Sequence, residues 1–204
     1  MKPLFRGVRR VSRPMAGLVC GLAMALGVGS AWALLQRSAG LGVAVGPWRT
    51  STLAGSVDAD LYTRARVALG GLLALNRSET MYYVAQVDSA GHALRSRCTY
   101  RVSGPAPRAR WWSVTAYADD LFLFPDAQHR YSLNGQQAVL DRQGHFQLTS
   151  APVAPADLAT RTWLPTPGDR GLVFALRLYK PDPLLVREPA RLEAPRIDLL
   201  GACG

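Results

Sequence analysis

The sequence has little lysine, and its positive charge is not arranged as nucleic-acid sites require. Only Lys2 and Lys180 are lysines in a chain of 204 residues with a net charge of +10. Five of the basic residues precede residue 15, and the 19 that follow face 14 acidic residues without forming a run. A clustered basic stripe is the footprint of nucleic-acid binding. The charge pattern therefore predicts no nucleic-acid partner.

Histidine is equally scarce, and the short motifs of common catalytic sites are missing. His92, His129 and His145 are the only histidines, and none has metal-ligand spacing with another or with a cysteine. The chain contains no Gly-x-Ser-x-Gly, no phosphate-binding glycine loop and no Cys-x-x-Cys. The sequence predicts neither a metal nor a cofactor.

Charge is absent altogether from Met15 to Leu35. As a helix these 21 residues would be roughly 32 Å long, enough to cross a bilayer core of about 30 Å. The basic residues lie before this segment, so the positive-inside rule predicts a cytoplasmic segment 1–14 and an exported remainder. The chain is expected in the inner membrane as a single-pass protein with its C-terminal domain in the periplasm.

The same segment also fits a cleaved signal peptide, with Ala31-Trp32-Ala33 as the small-x-small site. The apolar run continues through Leu34 and Leu35, which favours an uncleaved anchor. The segment also carries a row of small residues at every fourth position, a pattern that lets two membrane helices approach closely: Gly17, Gly21, Ala25, Gly29 and Ala33. The row predicts self-association, although ten of the 21 residues are Gly, Ala or Ser and composition alone can produce it.

Cysteine is limited to three residues, of which Cys20 lies inside the apolar segment. Cys98 and Cys203 remain, and in an oxidising periplasm two such thiols predict a disulfide. Two unrelated reduced cysteines are the alternative.

Residues 36–79 are predicted to form a tether followed by one amphipathic helix. Ser38 to Gly46 is glycine-rich, and Asp58 can cap a helix whose apolar residues share one stripe. The stripe consists of Leu61, Ala65, Ala68, Leu69, Leu72 and Leu75.

From residue 80 to residue 204 the apolar period changes to two, which indicates strands with one buried face. The clearest alternation runs from Leu94 to Val102. Thr162 to Asp169 is expected to be a proline-bearing connection. The other predicted strands are Met81–Val87, Trp111–Ala118, His129–Leu133, Ala138–Leu140, His145–Thr149, Gly171–Tyr179 and Arg191–Leu199. Short strands at this spacing predict an all-β, antiparallel β-sandwich or jelly-roll-like domain with one accessory helix.

Within the stretch RWWSVTAY, two adjacent tryptophans must point to opposite faces of a strand. Trp112, with Val114 and Ala116, is expected to face the core, whereas Trp111 and Tyr117 belong to the other row. That row is either covered by the amphipathic helix, which we favour because an apolar stripe needs a partner, or open as an aromatic platform for a flat ligand.

Five short motifs in order resemble the domain of unknown function 1214 family. They are Trp112-Ser-Val-Thr115-Ala-Tyr117, Arg130-Tyr131-Ser132, Trp163-Leu164-Pro165-Thr166-Pro167, Arg177-Leu178-Tyr179-Lys180-Pro181 and Pro195-Arg-Ile197. The resemblance spans residues 95–200 and implies an all-β, jelly-roll-like domain of exported bacterial proteins. It implies no activity, substrate or catalytic residue. Longer members carry a second domain ahead of this one, where this chain has the apolar segment and about 45 residues.

The acidic residues after the tryptophan strand are the best candidates for acid–base chemistry. Asp119, Asp120 and Asp126 lie close in sequence to His129, so a carboxylate and an imidazole could meet. Turn formation explains the same aspartates. Arg130 and Arg177 could hold an anion, or pair with an aspartate such as Asp119 or Asp141.

The leading hypothesis is a membrane-anchored periplasmic accessory or binding module of the cell envelope. Its candidate ligand residues are Trp111, Tyr117, Arg130, Tyr131 and Arg177. The alternatives are an envelope enzyme acting on glycans and a scaffold that works through its transmembrane helix.

Overall fold

A computed structural model describes residues 12–37, 42–69, 75–155, 162–201 and 203, and divides the chain into two units, residues 1–41 and 42–204. In the first unit, α1 (Arg13–Arg37) has 25 residues and is about 37 Å long. Its segment Arg13–Leu34 is long and apolar enough to cross a membrane, which agrees with the predicted span and also fits a signal sequence. Of the predicted cytoplasmic segment, residues 1–11 lie outside the described residues. Association through the row of small residues stays a prediction.

The second unit is mostly β. Its helices are α2 (Leu61–Leu69), α3 (Pro183–Arg187) and a 3-10 turn at Pro189–Arg191. Its strands are β1 (Val43–Val45), β2 (Trp48–Thr50), β3 (Thr80–Ala85), β4 (Tyr100–Pro105), β5 (Ala109–Ala118), β6 (Ser132–Asn134), β7 (His145–Ala151), β8 (Trp163–Pro165), β9 (Leu172–Pro181) and β10 (Arg196–Leu199).

These strands form two sheets. Six antiparallel strands make one sheet in the order β1-β2-β3-β9-β5-β6, and the other has the order β10-β4-β7-β8. The expectation of purely antiparallel pairing is wrong at β8, which runs parallel to β7. The predicted connection Thr162–Asp169 therefore contains a strand. Pro165 is tolerated because β8 lies at the edge of its sheet, where a missing N–H breaks no internal ladder.

The two sheets share one hydrophobic core, and Trp112 lies in it. Its side chain is 5% exposed, and its ring packs on Phe146 of β7 with the centroids 4.7 Å apart. Val114 and Ala116 are buried on the same side of β5. The alternation of RWWSVTAY thus predicts the core face of β5 correctly.

Four predicted strands differ from the observed elements. His129–Leu133 contributes only Ser132 and Leu133, to β6. The other three are shortened by turns and backbone hydrogen bonds, which periodicity does not show. The strand predicted from Leu94 to Val102 begins only at Tyr100, since the chain turns at residues 96–98, where the Cys98 N–H donates to the Arg95 carbonyl (3.1 Å). Burial still alternates through this turn, which is why the pattern imitates a strand. Ala138–Leu140 contributes only a bridge from Leu140 to Phe146. Arg191–Leu199 is shortened to β10 by the 3-10 turn at its start.

The disulfide between Cys98 and Cys203 is present, with the two Cα atoms 4.4 Å apart. Cys98 lies in the core cluster, and nearby the Leu200 N–H donates to the Thr99 carbonyl (2.8 Å). The predicted pairing therefore holds the C-terminal tail beside the start of β4.

α2 differs from its prediction in its cap and its packing. Asp60, which directly precedes the helix, accepts from the N–H groups of Tyr62 (2.8 Å) and Thr63 (3.0 Å), so the cap is Asp60 and not Asp58. Leu72 of the predicted stripe lies outside the described residues. Leu61 and Leu69 are 81% and 71% exposed, so the described part of the stripe covers no sheet.

Candidate functional site

Aromatic side chains surround one arginine on the side of the six-stranded sheet opposite the core. Trp111 pairs with Tyr179 across β5 and β9, and their rings meet edge to face with centroids 5.1 Å apart. Arg177 lies two residues before Tyr179 on the same face of β9. Its guanidinium carbon is 5.4 Å from the centroid of Tyr117 and 5.9 Å from that of Tyr82, within the range of cation–π attraction. We call Tyr82, Trp111, Tyr117, Arg177 and Tyr179 the aromatic face.

The guanidinium of Arg177 is held by two hydroxyl groups of β5. Its Nη1 donates to Thr115 Oγ1 (3.0 Å) and its Nη2 donates to the Tyr117 hydroxyl oxygen (2.6 Å). A guanidinium has five N–H donors, so three remain after these bonds. Both hydroxyl oxygens act as acceptors here, which leaves their hydrogens to donate elsewhere. The arrangement presents hydrogen-bond donors from three side chains around one positive charge.

Arg177 has no carboxylate partner among the described residues. Other arginines of the same unit do, since Arg95 pairs with Asp169, Arg130 with Asp126 and Arg196 with Asp198. A half-buried cation without an acid is costly to desolvate. It is also free to bind an external anion without first breaking an ion pair.

Burial raises the pKa of the Tyr82 phenol, and the nearby Tyr179 hydroxyl acts in the same direction, while Arg177 opposes both. The phenol is therefore neutral near pH 7. The positive charge of Arg177 is not cancelled by a neighbouring phenolate.

The structure brings three of the five predicted ligand residues together and places the other two elsewhere. Trp111, Tyr117 and Arg177 are in the aromatic face. Arg130 pairs with Asp126, and its guanidinium carbon lies 4.3 Å from the ring centroid of Trp163, while the Tyr131 hydroxyl is 2.9 Å from His129 Nδ1. The proposed partners Asp119 and Asp141 are not used by either arginine.

The predicted acid–base group does not assemble among the described residues. Asp120 pairs with Arg170, Asp126 pairs with Arg130, and the imidazole of His129 contacts Tyr131. No hydrogen bond joins any of these carboxylates to His129. The hydrogen bonds from the Arg130 side chain and backbone lower the pKa of Asp126 to about 2, so it is ionised and cannot serve as a general acid near neutral pH.

The Asp126–Arg130 pair predicts a specific dependence of stability on pH. A carboxyl whose pKa falls from 3.8 to about 2 on folding stabilises the folded state above pH 4, and this contribution is lost as the pH falls from 4 to 2. Over that interval the free energy of unfolding of the wild type should fall more steeply than that of Asp126→Asn. Urea unfolding at a series of pH values measures both slopes. Equal slopes would show that the pair does not contribute.

Sequence reasoning missed Tyr82 and Thr115, because their role depends on which strands are neighbours. The Tyr82-Tyr83 pair repeats the logic of Trp111-Trp112. Tyr83 is buried and donates to the Pro189 carbonyl (2.9 Å), whereas Tyr82 points to the opposite face. Adjacent aromatics on a strand were the available signal. The β3–β9–β5 order that joins them is visible only in the tertiary structure.

Comparison with known proteins identifies a family and one shared fold. The sequence model described as "Protein of unknown function (DUF1214)" matches residues 79–183, about half of the chain. The crystal structure of the VPA0106 protein from Vibrio parahaemolyticus is similar, with a TM-score of 0.62 and 19% identity over 95% of this chain and 47% of that one. At that identity only the fold is shared, and the chain spans about half the length of this neighbour.

A second solved structure, of an uncharacterized protein from Burkholderia cenocepacia, has a TM-score of 0.40 and 15% identity over 87% of this chain and 52% of that one. That likeness is too low to support an argument. No curated protein matches the sequence.

Proposed function

The chain belongs to the DUF1214 family of proteins of unknown function, and we propose that its β-domain is a ligand-binding module of the cell envelope. The ligand is an anion with a flat or apolar part. The aromatic face holds it, with the anionic group at Arg177 and the remainder against the neighbouring rings.

The guanidinium of Arg177 carries this proposal, because it is half-buried, is fixed by two hydroxyls and has no carboxylate within the described residues. A purely structural arginine on a sheet is normally compensated by an acid or lies in solvent. The rings of Tyr82 and Tyr117 lie on the two strands that flank Arg177, and they offer stacking surfaces that carry no competing charge. Arrangements of this kind bind carboxylates and phosphates through charge-assisted hydrogen bonds.

Replacement of Arg177 should abolish ligand-dependent stabilisation. The full-length protein and Arg177→Gln are heated with a panel of acidic sugars, aromatic carboxylates and anionic amphiphiles. A ligand at about 100 times its Kd stabilises by about 2.7 kcal/mol, which for a domain of this size corresponds to about 5 to 10 °C in Tm. We expect such a shift in the wild type only.

Arg49→Gln is the matched control, because Arg49 lies on the same side of the sheet in β2 and is exposed. It should respond like the wild type. Equal shifts in wild type and Arg177→Gln, for every ligand that shifts either protein, would contradict the proposed site.

We also propose that α1 anchors the module in the inner membrane with the β-domain in the periplasm. The apolar length of α1 supports a membrane span, and the disulfide between Cys98 and Cys203 fits an oxidising compartment. Jelly-roll connectivity of the two sheets is part of the same proposal.

Fusion proteins test the location. Alkaline phosphatase fused after the β-domain should be active, because that enzyme requires export, and green fluorescent protein at the same position should be dark. A full-length product without N-terminal processing would further distinguish an anchor from a signal peptide. An inactive phosphatase with a fluorescent partner fusion would place the domain inside the cell and refute the proposed location.

A further inference from the structure

The loop that follows β5 has an apolar tip of three consecutive residues. Leu121, Phe122 and Leu123 are 40%, 72% and 41% exposed. The turn is well formed, since the Ala118 N–H donates to the Phe122 carbonyl (2.9 Å) and the Leu121 N–H to the Ala118 carbonyl (2.8 Å). A run of three exposed large apolar residues in an ordered turn is costly in water and marks an interaction site.

The backbone conformation of Leu121 also indicates that the tip is an interaction site. Its φ is 68°, in the left-handed region that glycine and asparagine occupy most readily. Leucine at such a position costs stability, of the order of 1 kcal/mol. A glycine would fit the turn better than leucine does. Strain of this kind concentrates where a side chain has a role outside the fold.

The tip is continuous with the aromatic face. Leu123 and Tyr117 are paired in an antiparallel bridge, so their side chains lie next to each other on the same side of the sheet. The Tyr117 hydroxyl in turn accepts from Arg177 (2.6 Å). The surface therefore runs from a charged end to an apolar end, through the Arg177 guanidinium, the Tyr117 ring and the Leu123 side chain.

The charges around this path favour an anion. No aspartate or glutamate occupies a position of β1, β2, β3, β5, β6 or β9 on the side of the sheet opposite the core, whereas Arg177 does. At the tip, Asp120 is paired with Arg170, and Asp119 lies exposed beside it. The cationic and apolar regions are thus distinct and adjacent.

We propose that the aromatic face and the tip together bind one molecule of an anionic single-chain amphiphile. Its acidic head group accepts hydrogen bonds from Arg177 and from the Tyr117 hydroxyl. Its hydrocarbon chain lies over the Tyr117 ring and along Leu123. This inference rests on the proposed binding function and names the class of its ligand.

Photolabelling of the full-length protein in phosphatidylcholine nanodiscs tests the proposal. The probe is dodecanoate with a diazirine near its chain end, and a dodecanol analogue of equal length is the neutral control. Trypsin releases residues 111–130 as one peptide, which contains Trp111, Tyr117 and the whole tip. The probe should label this peptide, excess dodecanoate should prevent the labelling, and the neutral analogue should label it at least about tenfold less.

Variants separate the head-group and chain contributions. Arg177→Gln should reduce labelling of this peptide roughly tenfold and Leu123→Ser several-fold, whereas Arg49→Gln should leave it unchanged. Arg177→Lys keeps the charge and should retain part of the labelling, so it remains informative if the Gln variant folds poorly. Labelling of the α1 peptide reports the amount of probe in the bilayer and should be the same in every variant.

Each outcome decides the proposal. The proposal of an anionic amphiphile would be refuted if the neutral analogue labelled the peptide equally. It would also be refuted if labelling by dodecanoate were unchanged in both Arg177 variants. Competition by acetate as strong as by dodecanoate would also overturn it, while leaving an anion site at Arg177 intact. Failure of the binding function itself is recognised separately, by the absence of any Arg177-dependent thermal shift across the whole ligand panel.

Discussion

The double variant Cys98→Ser/Cys203→Ser is expected to lose about 4 to 5 kcal/mol of its free energy of unfolding. The disulfide closes a loop between residues 105 positions apart, and on the chain-entropy model a cross-link of that span restricts the unfolded ensemble by this amount. Native proteins are stable by only about 5 to 15 kcal/mol, so the loss is a large share of the total.

Urea unfolding followed by tryptophan fluorescence measures the effect, with Cys20→Ser as the control. Cys20 is in α1 and forms no disulfide, so its replacement should leave the midpoint unchanged. Addition of a reductant to the wild type should reproduce the double variant. A midpoint that is the same with and without the bond would show that β10 and its hydrogen bonds hold the C-terminal tail unaided.

Replacing Trp112 with alanine should cost about 3 to 5 kcal/mol, and replacing Trp111 should cost much less. Trp112 fills the space between the sheets and packs on Phe146, so its truncation leaves a cavity in the core. Its indole is also tightly surrounded: a Cβ added at Gly135 would lie 2.9 Å from Trp112 Nε1.

Trp111 is the natural control because it is the same residue type one position earlier. It is half-buried, and its described ring contact is the edge-to-face pair with Tyr179, worth about 0.5 to 1.5 kcal/mol beyond its area. Chemical unfolding of the two alanine variants gives the comparison directly. A greater loss for Trp111 than for Trp112 would mean that the assigned faces of β5 are exchanged.

Trp111 and Trp112 show what can be predicted from the alternation of side chains along a strand. Side chains alternate on a strand for geometric reasons, so the core face of β5 is predictable from RWWSVTAY alone. The same reasoning fails from Ser96 to Cys98. There, alternate burial comes from a turn whose backbone bonds to the Arg170 carbonyl and to Arg95, and no periodicity distinguishes that turn from a strand.

The amphipathic helix shows a second limit. An apolar stripe requires a partner, and the sequence favours the sheet as that partner, yet Leu61 and Leu69 are exposed. An apolar stripe indicates that one side of a helix is hydrophobic, but it does not indicate which surface packs against that side. That distinction matters for function, because a covered aromatic face would have been part of the core.

Local chemistry was sufficient to identify the apolar span, the disulfide pair and the inward side of β5, since each depends on composition, compartment or alternation along a single segment. The aromatic face depended on tertiary structure. Strand order places Arg177 on β9 between Tyr82 on β3 and Tyr117 on β5, although 95 and 60 residues respectively separate it from them along the chain. Hydrogen-bond pairing between distant strands decides which side chains meet. Among the described residues, Arg130 pairs with an aspartate, whereas Arg177 contacts hydroxyls and aromatic rings.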